Sequence, residues 1–161
     1  MDHVDRILEQ WNRERPDLDV APMGLLGRIA RLRTHLAREV EQTLAAHGLN
    51  SATFDVLATL RRSGPPYALS PGDLLATTMV SSGTMTNRLD QLEKAGLVAR
   101  THNPEDRRSV IIALTEKGRA VVDEAVTAHV ANQHRLVESL SSEERKQLDG
   151  LLRTFLGRFE D

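Results

Sequence analysis

Arg107 and Arg108 stand side by side on a polar stretch, residues 102–108, between two β-rich runs at 97–101 and 109–114. Two guanidiniums on a hairpin tip are suited to phosphate or minor-groove contact with a nucleic acid. Asp106 beside them would hold one guanidinium in place. Upstream, Ser81, Ser82, Thr84, Thr86, Asn87 and Gln91 bring hydroxyls and amides to a helical stretch. Ser and Thr bond phosphates or base edges, and Asn or Gln bonds adenine through two hydrogen bonds. Alone, this set would read as a solvated helix face. The arginine pair next to it turns the reading toward DNA.

The elements that must position these groups are legible in the periodicity. Ser70 caps a short helix, Pro71 fits its first turn, and Asp73 sits where a capping-box acid belongs. Leu74, Leu75 and Ala76 form its apolar side. After a break at 77–80, Ser81 or Ser82 caps a second helix whose core stripe is Met85, Leu89 and Leu92. Gly96 ends it. Helix, turn, helix and basic hairpin predict a winged helix-turn-helix over 51–114. Its second helix would enter the major groove, with the hairpin reaching beside it.

The run NPEDRRSVIIALTEKG at 103–118 resembles the wing of the MarR family of bacterial transcription regulators. In that family an Asp, one intervening residue, an Arg and usually a Ser precede a strand and a Leu-Thr helix start. Here these are Asp106, Arg108, Ser109, Leu114 and Thr115. The resemblance covers essentially the whole chain. It implies a homodimer that binds a palindromic operator and is released by a small ligand. The TEKG run itself, residues 115–118, reads only as a helix start.

The rest of the chain is predicted to be helical. Val4, Ile7, Leu8 and Trp11 mark a short amphipathic helix over 2–14. A long helix follows from Pro22 to about His47, with Leu25, Ile29, Leu32, Leu36, Val40 and Leu44 as its stripe. Next comes a centrally placed helix at 51–63, capped by Asn50 or Ser51, with Phe54, Val56, Leu57 and Leu60. Tyr67 to Leu69 should pair with the wing as a short strand. Thr115 starts a helix to about Leu140, and Ser141 with Glu144 boxes a last one carrying Leu148, Leu151, Leu152, Phe155, Leu156 and Phe159. The fold class is therefore mainly α with a small β-wing in a single domain, 1–161. Residues 1–48 and 115–161 form a helical dimerisation region, because they are more apolar than a lone small domain needs.

Composition sets further bounds. A 40% hydrophobic, 27% charged chain with no Cys is soluble, without disulfides, thiolate metal sites or a cysteine redox switch. No stretch is long and apolar enough to span a membrane, and the charged opening is no signal peptide, so the expected location is cytoplasmic. Net charge is −2, but residues 61–119 carry nine Lys/Arg against six Asp/Glu, while both flanks are acidic. A local positive patch suffices for phosphates. No cofactor, metal site or catalytic triad is expected. His129 and His134, five apart on one helix, make a poor metal pair.

Four residues sit oddly for plain architecture. Asp55 lies within an apolar helix, Arg88 on the flank of the reading helix, Arg100 on the first wing strand, and Trp11 on the apolar face of the first helix. The quartet resembles the markers of a MarR subgroup that responds to urate, aconitate-type acids or phenolic compounds, as do the extra N-terminal helix and the opening EQWNRERPDLD. That resemblance implies a pocket for a small organic anion: two guanidiniums bind it, Trp11 stacks on it, and Asp55 accepts a ligand N–H or holds an Arg. The alternative is an Asp55–Arg88 structural ion pair with Trp11 as a packing anchor. At the level of function, the expected partner is double-stranded DNA. The rivals are a winged-helix protein–protein module, a constitutive DNA binder, and an enzyme, for which no activated nucleophile is visible.

Overall fold

The computed structural model describes residues 1–78, 85–103 and 109–160. In chain order the elements are α1 (His3–Glu14), α2 (Ala21–Ala45), α3 (Ser51–Arg62), β1 (Ala68–Leu69), α4 (Pro71–Thr77), α5 (Met85–Lys94), β2 (Val98–His102), β3 (Val110–Leu114), α6 (Glu116–Leu136) and α7 (Ser142–Leu156). The class is the expected one, mainly helical with a small wing. Two compact units divide it, Met1–Val40 and Glu41–Asp161.

In the first unit, Asp2 caps α1 and exchanges a capping box with Asp5. Arg28 of α2 donates to Asp2 at 2.8 Å and also to Asp5. Backbone hydrogen bonds first, then Arg28, hold both carboxyls below their ordinary range. The helices approach closely because α2 offers glycines there. A Cβ on Gly24 would stand 3.1 Å from Leu8, and one on Gly27 3.4 Å from Val4. Val4 and Val20 are buried, whereas Leu25, Leu32 and Leu36 of the predicted α2 stripe are exposed.

The second unit is built around α3. Asn50 caps it, boxed with Thr53, and Val56, Leu57 and Leu60 have no exposed surface. Leu44, Leu74, Ile112 and Val122 complete this fully buried layer from α2, α4, β3 and α6. Ser70 caps α4, with Pro71 in its first turn. The three strands form one antiparallel sheet in the order β1-β3-β2. Ala68 pairs with Ala113, and β2 runs from Val98 opposite Leu114 to His102 opposite Val110. Thr115 caps α6, which stops at Leu136, about a turn short of the expected end. Ser141 and Glu144 box α7 as predicted, yet no residue of α7 is buried within the chain.

α6 packs on α3, where the Phe54 and His129 rings lie 5.1 Å apart. Burial pushes the His129 imidazole below its ordinary value, so the unfolded chain takes up a proton that the folded chain resists. Its contribution to stability is whole above the ordinary imidazole range, about 6.5, and declines as pH falls through it. Urea unfolding from about pH 8 to about pH 5 should show this decline, and His129→Gln should flatten it. An identical slope in that variant would remove His129 as the cause.

Candidate nucleic-acid interface

α5 presents three distinct sides. Met85, Leu89 and Leu92 are buried, as their spacing requires. Thr86, Asn87, Asp90, Gln91 and Lys94 are exposed. At about 100° per residue, Asn87 and Lys94 lie opposite the buried stripe. Asp90 and Glu93 fall on one flank; Arg88, Gln91 and Ala95 fall on the other. Of the groove-reading set, Thr86, Asn87 and Gln91 can therefore be placed. Ser81, Ser82 and Thr84, together with Asp106, Arg107 and Arg108 of the hairpin tip, lie outside the described residues.

The acidic flank faces the wing. Arg100 of β2 donates one guanidinium nitrogen to Asp90 and another to Glu93. Its backbone N–H also reaches Glu93, at 3.3 Å. The bond to Asp90 is the first cause of a raised Arg100 pKa. One cation thus offsets two carboxylates on the helix expected to approach phosphates, and it ties β2 to α5. These two partners of Arg100 were missed in the sequence. Their i, i+3 spacing on a helix that turns at Gly96 into the strand bearing Arg100 was the available signal.

On the opposite flank, Gln91 helps to line an open cavity of about 270 Å³ with Asn50, Thr53 and Ala95. Arg88 is half-buried, and its Nη1 has neither solvent nor a hydrogen-bond partner among the described residues. Asp55 on α3 is half-buried and has a polar partner. Trp11 belongs to the first unit and is 41% exposed. Arg88 thus stands on one flank of α5, and Arg100 reaches from β2 to the other. No group of three or more metal-ligating side chains gathers among the described residues, and no helix there is long and apolar enough to cross a membrane.

Basic side chains also finish the helix-turn-helix. Arg62 at the end of α3 donates to the Thr77 carbonyl at 2.6 Å, the C-terminus of α4. The Tyr67 ring lies under two guanidiniums, with Arg61 5.1 Å and Arg119 5.5 Å from its centroid. Arg61 is anchored to Asp123 at 2.6 Å. Such cation–π contacts fasten Tyr67, the residue before β1, to α3 and α6.

With this geometry in place, likeness to known proteins becomes informative. A family model described as "MarR family" matches residues 47–109. The transcriptional regulator PecS of Dickeya dadantii is 41% identical over 157 residues, 98% of this chain and 92% of that protein. The chain belongs to the MarR family. A mutant of MarR from E. coli, solved in complex with operator DNA, superposes with a TM-score of 0.71 at 26% identity, over 91% of this chain and 97% of that one. BpsR of Bordetella bronchiseptica, solved to explain regulation of its DNA binding by 6-hydroxynicotinic acid, gives a TM-score of 0.70 at 31% identity, over 86% and 95%. The protein is a MarR-family DNA-binding transcription regulator and not an enzyme.

For a MarR-family winged helix, the Arg100 contact has a measurable consequence. Arg100→Ala should expose Asp90 and Glu93 beside the phosphates and weaken operator binding on the order of tenfold, ~1.4 kcal/mol. The triple variant with Asp90→Asn and Glu93→Gln should recover most of that loss in fluorescence anisotropy. Equal weakening in the single and triple variants would refute the electrostatic account.

Proposed function

We propose that this regulator is a homodimeric repressor that binds a palindromic operator and lets go when a small organic anion docks beside Arg88. The observation that carries the reading is the Arg88 Nη1, a buried donor with no partner among the described residues. Leaving such a group unmet costs about 1–3 kcal/mol, more when it is charged. A carboxylate or enolate would meet it with a charge-assisted bond. Because Arg88 projects from the reading helix, an anion that draws on it acts on α5 directly. Asp55 of the same unit completes the proposed ligand set, while Arg100 stays with Asp90 and Glu93. Candidate effectors are urate, aconitate or citrate, and phenolic acids. BpsR, whose DNA binding responds to a planar aromatic acid, supports this class.

The DNA set comprises Ser81, Ser82, Thr84, Thr86, Asn87 and Gln91 in the major groove, with Arg107 and Arg108 at the wing and Asp106 steadying them. Operator occupancy excludes other proteins from the same DNA, hence repression. Exposed apolar surface supports the dimer. Leu151 is 70% exposed, Phe159 72%, and Leu148, Leu152, Phe155 and Leu156 between 37% and 50%. A second copy would cover this face, using residues 1–48 and 115–161 as the dimerisation region. Two heads on a two-fold axis read half-sites about 10 bp apart, one helical turn.

Anisotropy with DNA upstream of the protein's own gene tests this directly. The expected result is tight, salt-sensitive binding, relieved by urate, aconitate or citrate. Arg88→Ala should keep operator binding within about tenfold and lose the response to the effector. An unchanged response would sink the Arg88 site but leave the regulator. In sedimentation, Leu151→Glu combined with Phe155→Glu should yield monomers; a persistent dimer would move the interface elsewhere.

A further inference from the structure

α5 ends by a rule of backbone chemistry. The last four carbonyls of a helix lack intrahelical partners. Gly96, at φ +71°, turns the chain. The Gly96 N–H then returns to Glu93 O at 2.9 Å and the Leu97 N–H to Leu92 O at 2.9 Å. That is a Schellman closure, and it meets two carbonyls. Just past the end of α5 come the carbonyls of Ala95, Gly96 and Leu97, which this closure does not meet.

The first turn of α6 takes all three. Lys117 Nζ donates to Ala95 O at 2.8 Å. Thr115 Oγ1 donates to Gly96 O at 2.7 Å. The Thr115 N–H donates to Leu97 O at 3.1 Å. The same Thr115 hydroxyl accepts the Gly118 N–H at 2.9 Å, so one oxygen joins the end of α5 to the start of α6. A Cβ on Gly118 would stand 1.9 Å from Leu97 O and 2.8 Å from its carbonyl carbon, both backbone atoms. The two chain segments meet with no side chain between them. The run read from sequence as a mere helix start is therefore a joint.

We propose that Thr115, Lys117 and Gly118 are positioning residues for operator recognition, setting the pose of α5. The proposal rests on the reading that α5 enters the groove. Lys117 acts here through Ala95 and not through DNA. A displaced α5 loses base contacts, whereas non-specific binding through phosphates tolerates displacement.

The experiment compares operator DNA with a scrambled duplex, over a salt series, for the full-length protein and the variants Lys117→Met, Lys117→Arg and Thr115→Val. Gly118→Ala is added where thermal melting shows it folded. The joint predicts about tenfold weaker operator binding for Lys117→Met, with unaltered scrambled-DNA affinity and salt slope. Lys117→Arg should recover much of the loss, and Thr115→Val should reproduce the pattern. Uniform weakening on both duplexes, with the salt slope reduced by about one, would identify Lys117 as a phosphate contact and overturn its role in the joint. Wild-type affinity in both Lys117→Met and Thr115→Val would overturn the joint altogether. A wild-type protein that fails to distinguish the duplexes would instead defeat the operator reading.

Discussion

A helix that ends inside a protein must have its last carbonyls met by donors from elsewhere, and α5 meets this demand through α6. The Schellman turn at Gly96 closes the helix on itself as far as local geometry allows. Just past it, Lys117 and Thr115 meet the carbonyls of Ala95 and Gly96. α4 shows the same principle at its own end, where Arg62 reaches the Thr77 carbonyl. Both helices of the helix-turn-helix thus present the negative ends of their dipoles to cations from flanking helices. The buried layer of Val56, Leu57, Leu60, Leu74 and Ile112 holds the frame around them.

Charge is handled with similar economy. A chain of net charge −2 carries Asp90 and Glu93 on the helix proposed to meet a polyanion. Arg100 offsets those carboxylates while linking the wing to α5. Because the Arg100 side chain is 33% exposed, the contact is screened and worth little as stability. Its weight lies in what the phosphates meet. On the opposite flank the Arg88 Nη1 is a buried donor with no partner among the described residues, so the two arginines differ in what they already hold. The sequence pattern alone had placed the two arginines in one set.

Much of the architecture was readable before any coordinates. The stripe of Met85, Leu89 and Leu92, the caps at Ser70, Asn50, Thr115 and Ser141, and the glycine stop at Gly96 are all present. So is the short strand that pairs with β3. Each depends on contacts within a turn or two, or on alternation along a strand, so spacing suffices to reveal it. The family likeness of the wing was legible for the same reason, since its motif is contiguous. Asp55 stands out in an apolar helix, but its partner cannot be read from spacing.

What the sequence by itself determined is the inventory: which helices form, which faces are apolar, and which basic and amide groups the chain carries. Only the tertiary structure decided how these ends and flanks meet. Lys117 finds Ala95 across 22 residues, Arg62 finds Thr77 across 15, and Arg100 finds Asp90 across 10. The α2 stripe divides too, with Leu44 buried and Leu25, Leu32 and Leu36 exposed, although their spacing is alike. Periodicity is a property of one helix, whereas burial and the capture of a carbonyl depend on which other element arrives, and that is set by the topology of the whole unit.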